Sequence, residues 1–413
     1  MQILLVIGYV WPEPKSSAAG SHMLSIMRLF RSKDWQVIFS TPAQKTDFCA
    51  ELEKENIVTE EIHVNSETFD SYIADLNPTA VLFDRFLMEE QFGWRVKKYS
   101  PSSIRILDTE DLQCLRGARQ TALKENREFT NTDLHSDLGK REIASIYRCD
   151  LSLIISDFEI KLLTEHFFID PSLLIHIPFM LDLDLRPNKL PDFSQRKHFI
   201  TIGNLRHAPN WDSILYLQKI WPLIRKQLPD AELHIYGAYT PPKATALNNS
   251  KIGFLIKDRA EDVNDVMANA RVCLSPLRFG AGIKGKFVDA MMNRTPIITT
   301  TIGAEGMTGG KHPEKYWPGY VEDDIESIVA KSIECYTSET NWNKKSERSN
   351  ELLKTVFDGK IIGQKLMNRI SKLKLNIKHH RLNNFVGAML LHHSMRSTEF
   401  MARWIEEKNK PSD

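Results

Sequence analysis

One stretch of the chain, residues 274–307, limits the fold more than any other. It reads LSPLRFGAGIKGKFVDAMMNRTPIITTTIGAEGM, which predicts a strand, a glycine-rich loop, a short helix near residues 287–293, a β-branched strand and a second glycine-rich loop. Glycines let a backbone approach a ligand closely, and the free N–H groups that begin the next helix attract anions. The pattern therefore predicts a phosphate or diphosphate site at the carboxyl end of a parallel sheet. The residues expected there are Gly280, Gly282, Lys284, Gly285 and Lys286.

Short apolar runs alternate with amphipathic stretches along most of the chain, which predicts βαβ units and an α/β fold with parallel sheets. Strands in the first half are expected at residues 2–9, 36–41, 57–64, 80–83, 104–107, 151–155 and 173–177. Strands in the second half are expected at residues 198–202, 231–236, 252–256, 272–275 and 295–301. From about residue 341 the pattern is helical, with helices expected over residues 346–373 and 382–407.

A polar, proline-containing segment after Pro178 separates two halves of similar size. We therefore expect an N-terminal Rossmann-like domain over residues 1–183, a linker over residues 184–196 and a C-terminal Rossmann-like domain over residues 197–340. The helical tail over residues 341–413 is expected to pack back on the N-terminal domain, because its apolar faces are wide enough to dock there.

The composition is that of an ordinary soluble protein. Of the 413 residues 42% are hydrophobic and 26% are charged, and the net charge of +1 gives no electrostatic reason to expect nucleic-acid binding. No apolar run reaches the roughly 18 residues of a membrane span. The start of the chain has no basic leader, and its five cysteines are scattered, so a cytoplasmic location is expected. Peripheral contact with a membrane is left open.

Neither a metal nor a separate cofactor is expected. Asp182 and Asp184 have the spacing of a metal-binding pair, but solvated charge is preferred because no further acids lie nearby. The adjacent histidines at residues 379–380 and 392–393 point to different sides of a helix. Residues 383–408 can be interpreted as an amphipathic membrane helix, although a helix packed on a domain is favoured.

Polar side chains at the ends of predicted strands are further candidates. Glu110 lies in the acidic run of residues 108–111, where Asp108 or Asp111 is expected to cap the next helix and another acid to act on an acceptor. Arg116 and Arg119 share one helical face, for which a solvated or salt-bridged role is preferred to phosphate binding.

Three further strand ends carry glycine or basic residues. The loop over residues 10–20 makes Gly20 a candidate for ligand contact, with a serine-capped surface turn as the alternative. Gly203 ends the first strand of the second half and Gly237 the second. Arg206 is placed to pair with a diphosphate, and His207 is either a second such residue or a surface side chain.

These motifs resemble those of a known enzyme group. The segment IGNLRHAPNWDSILYLQKIWPLIRKQLPDAELHIYG is similar to the start of the C-terminal half of glycosyltransferase family 4-like proteins, the group 1 glycosyl transferases. The segment from residue 272 to residue 307 resembles the donor-site signature of the same proteins, and LDTEDLQCLRGAR and CDLSLIISDFE resemble two of their N-terminal segments. The resemblance covers most of residues 1–370 and implies a GT-B fold, in which two Rossmann-like domains face each other across a cleft.

The resemblance also implies a function. Such enzymes retain the anomeric configuration while they move a sugar, here expected to be a hexose, from a nucleoside diphosphate sugar to a glycan, lipid-linked or protein acceptor. Matching positions imply that Lys284 and Arg206 stabilise the leaving diphosphate, Asp289 binds the ribose and Glu110 acts on the acceptor side. The remaining donor-site residues implied are Gly203, Gly280, Gly282, Lys286, Gly303, Glu305 and Gly306.

Three departures from the family pattern leave alternatives open. Ala281 stands where many members have a sugar-binding glutamate, Asp289 replaces a glutamate, and Glu110 replaces a histidine. A nucleotide-sugar epimerase of the same fold, or a non-catalytic module with a partner surface on the C-terminal helices, therefore remain as alternatives to transfer.

Overall fold

The computed structural model of the chain describes residues 1–187 and 189–409. Within these residues the strands form two separate sheets, both fully parallel, so the predicted α/β class with two Rossmann-like sheets is confirmed. The first sheet has seven strands in the order β3-β2-β1-β4-β5-β6-β7 and the second has six in the order β10-β9-β8-β11-β12-β13. Each order reverses once, between β1 and β4 and between β8 and β11.

The first domain is built from the seven strands of the first sheet and the helices between them. Its strands are β1 Gln2–Ile7, β2 Trp35–Thr41, β3 Val58–Glu61, β4 Ala80–Asp84, β5 Ile104–Asp108, β6 Leu151–Ile154 and β7 Leu174–His176. Its helices are α1 Ala18–Arg31, α2 Thr68–Leu76, α3 Arg85–Tyr99, α4 Gln113–Lys124, α5 Asp137–Arg148 and α6 Asp157–Lys161, which continues as a π-helix over Leu162–His166. The side chain of Ser17 caps α1 by accepting from the Gly20 amide at 3.0 Å.

The second domain repeats this organisation. Its strands are β8 Lys197–Ile202, β9 Leu233–Tyr236, β10 Phe254–Asp258, β11 Ala270–Leu274, β12 Ile297–Thr299 and β13 Gly319–Val321. Its helices are α7 Ala208–Gln227, α8 Pro242–Thr245, α9 Val263–Asn269, α10 Gly285–Met292, α11 Thr301–Ala304, α12 Pro313–Tyr316 and α13 Ile325–Thr337. Strand β13 was not among the sequence predictions, since its three residues carry too little apolar pattern to be seen.

Three long helices complete the chain: α14 Glu339–Val356, α15 Gly359–Asn383 and α16 Phe385–Lys408. The single helix expected over residues 346–373 is wrong, because Asp358 accepts from the amides of Lys360 and Ile361 and so caps a new helix. Helix α14 buries Leu352 and Leu353 in the core of the second domain, not the first.

The last two helices lie on the first domain. Helix α15 places Ile362, Leu366 and Ile370 in the core that α1 forms with one face of the first sheet. Helix α16 packs against α3 and α5. The expectation that the tail packs back on the first domain therefore describes α15 and α16, whereas α14 belongs to the second domain.

The chain crosses between the domains twice, and the two crossings lie side by side. Leu181 donates its amide to the Phe357 carbonyl at 3.0 Å and accepts from the Gly359 amide at 2.9 Å. This pairing connects the linker after the first sheet with the turn between α14 and α15. Among the described residues no helix is both long enough and apolar enough to cross a bilayer.

Candidate active site

A cleft of about 670 Å³ lies between the carboxyl ends of the two sheets. One wall comes from the loop after β1, the start of α1 and the residues that follow β4 and β5. The other wall comes from Gly203, the α7 start and the loop after β11. Both walls therefore lie at the points where the strand order reverses, which is where open parallel sheets bind ligands.

The glycine-rich loop forms part of the cleft wall, but two of its glycines are required by protein contacts. Gly282 has φ +60°, and a Cβ there would lie 2.9 Å from the Cβ of Asp111 in the first domain. A Cβ on Gly285 would lie 2.6 Å from that of Ala18. Gly280 differs, since a Cβ there would meet nothing closer than 3.9 Å. The loop is thus a joint between the domains as well as a wall of the cleft.

Two lysines of this loop line the cleft. Lys284 is 8% exposed, and its Nζ donates to the Gly282 carbonyl at 3.0 Å. The Nζ of Lys286 donates to Asn210 Oδ1 at 2.7 Å and lies 3.3 Å from Ser275 Oγ. Burial lowers the pKa of each lysine to about 8. Neither ammonium lies within 4.0 Å of a carboxylate oxygen of the described residues.

Asp289 and Gly203 complete the wall of the second domain. Asp289 lies one turn after Lys286 on α10, lines the cleft, and has its pKa raised to about 7 by burial. Gly203 lines the cleft beside Asn210, the residue that Lys286 contacts, and a Cβ at position 203 would lie 2.6 Å from the Asn210 amide nitrogen. The structure therefore brings Gly203, Gly280, Lys284, Lys286 and Asp289 together on one wall.

Four predicted donor-site residues are not on the cleft wall. Gly20 lies inside α1, against the backbone of Glu13. Gly303 packs on Thr299, and Gly306, with φ +73°, packs on Ser156 of the first domain. Glu305 is held by Arg119 in a two-pronged ion pair, with nitrogen–oxygen distances of 2.7 and 2.8 Å. These glycines allow close packing of the protein on itself, a requirement that the sequence motif does not distinguish from ligand contact.

Arg206 lies on the surface beside the cleft. Its guanidinium stacks on the Tyr239 ring at 4.4 Å, and the Tyr239 hydroxyl donates to Glu13 across the domain boundary at 2.9 Å. The side chain is exposed and is not part of the cleft wall, whereas His207 is. In this arrangement Arg206 stabilises an interdomain contact through its stacking on Tyr239.

An acidic cluster forms the opposite wall, at the ends of β4 and β5. Glu110 lines the cleft with φ +59°, and Arg85 beside it has φ +68°. Both backbones are therefore in the left-handed region, which is unusual for such residues and frequent at functional sites. Burial, together with the charge of Asp108, raises the pKa of Glu110. Burial and the charge of Asp84 raise the pKa of Asp108 to about 7.

His22 is the residue of this cluster that the sequence analysis missed as a site residue. It lies on α1, lines the cleft and is 2% exposed, and its Nε2 is 3.8 Å from Asp108 Oδ2. Burial lowers the pKa of His22 to about 4, so the ring is neutral at pH 7. Neither ring nitrogen has a hydrogen-bond partner in the described structure. An unpartnered donor and acceptor at the edge of a cleft are available to a polar ligand.

The first turn of α4 is capped in a way that the sequence did not predict. Asp108 and Asp111 do not cap it; Glu142 accepts from the Gln113 amide at 2.8 Å, and Glu159 accepts from the Leu112 amide at 3.1 Å. Asp111 forms an ion pair with Arg116 instead. The carboxylates that satisfy these amides come from distant parts of the chain, so no local pattern reveals them.

Two side chains of the first domain hold the glycine-rich loop. The buried carboxyl oxygen Oε1 of Glu159 accepts from the Gly282 amide at 2.8 Å. Arg119 donates to the Gly280 carbonyl at 2.9 Å in addition to its pair with Glu305, and its guanidinium lies over the Phe129 and Phe158 rings. The expected salt-bridged role of Arg116 and Arg119 is confirmed, and for Arg119 the partner is in the other domain.

Comparison with known proteins agrees with this architecture. Residues 196–337 match the family model of the group 1 glycosyl transferases. The C-terminal domain is thus similar to the group 1 glycosyl transferases. A protein of the cps region of Klebsiella pneumoniae, described only by its mass of 44.6 kDa, is 29% identical over 178 residues, which are 41% of this chain and 43% of that protein. The aligned part is thus less than half of either chain.

Solved structures extend the likeness of the fold to most of the chain. TarM of Staphylococcus aureus, in a complex with fondaparinux, α-GlcNAc-glycerol and UDP, covers 90% of this chain with a TM-score of 0.68 at 9% identity, over 100% of its own length. Anabaena HepE with UDP and glucose also covers 90%, with a TM-score of 0.67 at 12% identity over all of its length. The sucrose-phosphate synthase of Thermosynechococcus elongatus aligns with a TM-score of 0.67 at 14% identity, over 90% of this chain and 99% of its own length. The GT-B fold that the sequence resemblance implies, with the domain similar to the group 1 transferases in its C-terminal half, is therefore confirmed.

Proposed function

We propose that this protein is a retaining glycosyltransferase that moves a hexose from a nucleoside diphosphate sugar, bound by the C-terminal domain, to an acceptor bound by the first domain. The observation that carries the proposal is the pair Lys284 and Lys286 on the cleft wall. Both ammonium groups have a pKa lowered by burial, and neither has a carboxylate partner among the described residues. A buried cation without a direct ion-pair partner is costly, so a bound anion would complete this site.

The position of the two lysines suits a diphosphate. They flank Gly285, the first residue of α10, where the positive end of the helix dipole adds to their charge. During transfer the bond between the anomeric carbon and the phosphate oxygen breaks, and the nucleoside diphosphate leaves with growing negative charge. Two fixed ammonium groups and a helix N-terminus stabilise this charge without a separate cofactor.

The position of Asp289 and the ligands of similar structures support a nucleoside as the group attached to the diphosphate of the donor. The Asp289 carboxylate lies one turn along α10 from the lysines, at a suitable position for the ribose hydroxyls. Because UDP is bound in the structures of TarM and HepE, and glucose in the latter, UDP-glucose is the first donor to test. The carboxylate would accept hydrogen bonds from the ribose hydroxyls, and these bonds would lower the pKa that burial raises.

The acidic wall supplies the acceptor side. Burial raises the pKa of Glu110 well above its ordinary value, which makes the carboxylate a stronger base for taking a proton from an attacking hydroxyl. Arg85 lies beside it, and neutral His22 offers unpartnered ring nitrogens to further hydroxyls. A wall of carboxyl, imidazole and guanidinium groups fits a polyhydroxylated glycan acceptor better than an apolar one.

The experiment is an assay of UDP release from UDP-glucose with a panel of glycan and lipid-linked acceptors. We expect the wild type to release UDP only with an acceptor or slowly by hydrolysis, and NMR of the product to show the donor's anomeric configuration. The variant Glu110→Gln should lose at least about a hundredfold in rate while it retains its fold. Inversion at the anomeric carbon would contradict the retaining mechanism. Conversion of the donor sugar to its epimer without any acceptor would favour the epimerase alternative instead.

A further inference from the structure

The last two helices carry a charge that the composition of the whole chain conceals. Residues 359–408 contain ten lysines and arginines and three acids, a net charge of +7, whereas the whole chain has a net charge of only +1. Helix α15 alone has seven basic residues and no aspartate or glutamate. The rest of the protein is therefore net acidic, and the excess of positive charge is concentrated in this segment.

Helix α16 has apolar side chains on two opposite faces. Its inner face places Met395 and Ala402 on Trp94 of α3. Its outer face consists of Phe385, Met389, Arg396, Phe400 and Trp404, which are spaced by four or seven residues and so share one side of the helix. Phe385 and Phe400 are each 70% exposed and Trp404 is 59% exposed. The packed helix favoured by the sequence is thus present, but packing uses only its inner face.

The charged side chains of α16 are divided between the two faces. Of the three acids of α16, Glu399 contacts Lys98 of α3 and Glu406 contacts Arg95 at 3.9 Å, so these two pair with the first domain. Glu407 is exposed on the outer side, seven residues after Phe400. Arg396 and Lys408 are exposed, and the Lys408 ammonium lies 5.0 Å from the centre of the Trp404 ring. An outward surface of large apolar and basic side chains is complementary to an anionic lipid surface, in which aromatic rings lie at the headgroup level.

The outer face is held in a fixed orientation. Arg381, just before α16, donates to both carboxylate oxygens of Asp150 at 2.8 Å, and His380 contacts the Asp150 carbonyl at 2.7 Å. Asn384 caps α16 by accepting from the Gly387 amide at 2.9 Å. Because the helix is already formed and anchored, exposing this face to a membrane requires no folding on binding.

We propose that the outer face of α16, together with the exposed lysines Lys372, Lys374 and Lys378 of α15, docks the first domain on an anionic lipid bilayer. The protein thereby lies on the membrane surface without crossing it, with the aromatic side chains in the interface and the lysines and arginines among the headgroups. This inference does not depend on the proposed sugar transfer, because it uses none of the cleft residues.

The test is sedimentation of the full chain with vesicles of phosphatidylcholine alone or mixed with equal parts of phosphatidylglycerol, without nucleotide. We expect binding to the anionic vesicles that is at least about tenfold stronger than to the neutral ones and that weakens with salt. The double variant F400S/W404S should lose at least about tenfold of this binding, and R396E/K408E should lose a similar amount. The four side chains replaced in these two variants are all exposed, so the melting temperature should change little.

A matched control is Phe168→Ser. Phe168 is 80% exposed but lies outside the last two helices, so its loss should leave vesicle binding unchanged. Equal loss in this control and in F400S/W404S would overturn the proposal, as would the absence of binding to anionic vesicles. Dimerisation in lipid-free sedimentation that disappears in F400S/W404S would also overturn it, because the outer face would then be covered by a second copy of the chain.

Discussion

Replacement of Arg119 by methionine should loosen the joint between the two domains at the glycine-rich loop. The guanidinium is 7% exposed and Glu305 is 12% exposed, so the variant leaves a nearly buried carboxylate without its counter-charge and the Gly280 carbonyl without its donor. Removing one partner of a buried ion pair costs about 3 kcal/mol or more. Since the pair crosses the domain boundary, this cost falls on the contact between the domains.

Hydrogen exchange measures the stability of this interdomain contact directly, because the Gly282 amide donates to Glu159 across the same boundary. A loss of about 3 kcal/mol corresponds to about hundredfold faster exchange of the peptides that cover residues 280–286, provided that these amides exchange by opening of the joint. The double variant R119M/E305M should recover most of the protection, since it removes both charges.

Arg141→Met provides the matched control. Arg141 pairs with Glu90 on the surface of the first domain, where the arginine is 48% exposed, and such a pair contributes about 1 kcal/mol or less. Exchange of residues 280–286 should therefore be unchanged in this variant. If Arg119→Met and Arg141→Met had the same small effect on these peptides, the interpretation of Arg119 as an interdomain clamp would be refuted.

Substitutions at Gly282 and Glu159, which form the same contact between the domains, give two further predictions. Gly282→Ala should destabilise the protein by about 2 kcal/mol, because of its φ of +60° and the contact with Asp111, whereas Gly280→Ala should change the melting temperature by no more than about a degree. Equal shifts for the two alanine variants would contradict this. Burial and the charge of Asp111 raise the pKa of Glu159 from 4.5 to about 8, so the native state holds a proton that the unfolded state has lost, and stability falls as pH rises through that range. Glu159→Gln should make the melting temperature less dependent on pH between about 5 and 8, and an unchanged slope would show that Glu159 does not titrate in this way.

The parts of the molecule that local pattern determines were predicted well. Alternating apolar runs predicted both parallel sheets, and a short helix follows the glycine-rich loop after β11 as expected, although it begins at Gly285, two residues before the predicted start. The family resemblance added Asp289, and the same pattern placed Gly203, Lys284 and Lys286 after strands whose ends meet at one edge of a sheet. Periodicity and strand order suffice for this, because carboxyl ends of parallel strands converge without any knowledge of side-chain contacts.

What the sequence did not predict depends on contacts between distant residues. Gly20, Gly303 and Gly306 carry the same motif signal as a ligand-binding glycine, yet each accommodates another part of the protein. The amides of α4 are capped by Glu142 and Glu159, far along the chain, instead of by the nearby aspartates. Partners of this kind become visible only when the two domains are placed together.

The break between α14 and α15 depends partly on local sequence and partly on a contact with a distant residue. A helix pattern continues across Phe357 and Asp358, so periodicity predicts one helix. Asp358 followed by Gly359 is a local signal for the start of a new helix. The turn is also held by hydrogen bonds to Leu181 in the other crossing segment, and the sequence does not reveal this contact. The assignment of α14 to the second domain depends on the same turn.

The central claim is that the lysines of the glycine-rich loop bind a nucleoside diphosphate. Titration calorimetry with UDP and with GDP tests it most directly, on the wild type, on Lys284→Ala and on Lys243→Ala, a control that removes an exposed lysine of the same domain. We predict that one of the two nucleotides binds the wild type and Lys243→Ala equally and that Lys284→Ala loses at least about tenfold in affinity. If neither nucleotide binds the wild type, or if Lys284→Ala binds as tightly as Lys243→Ala, the proposed donor site is wrong.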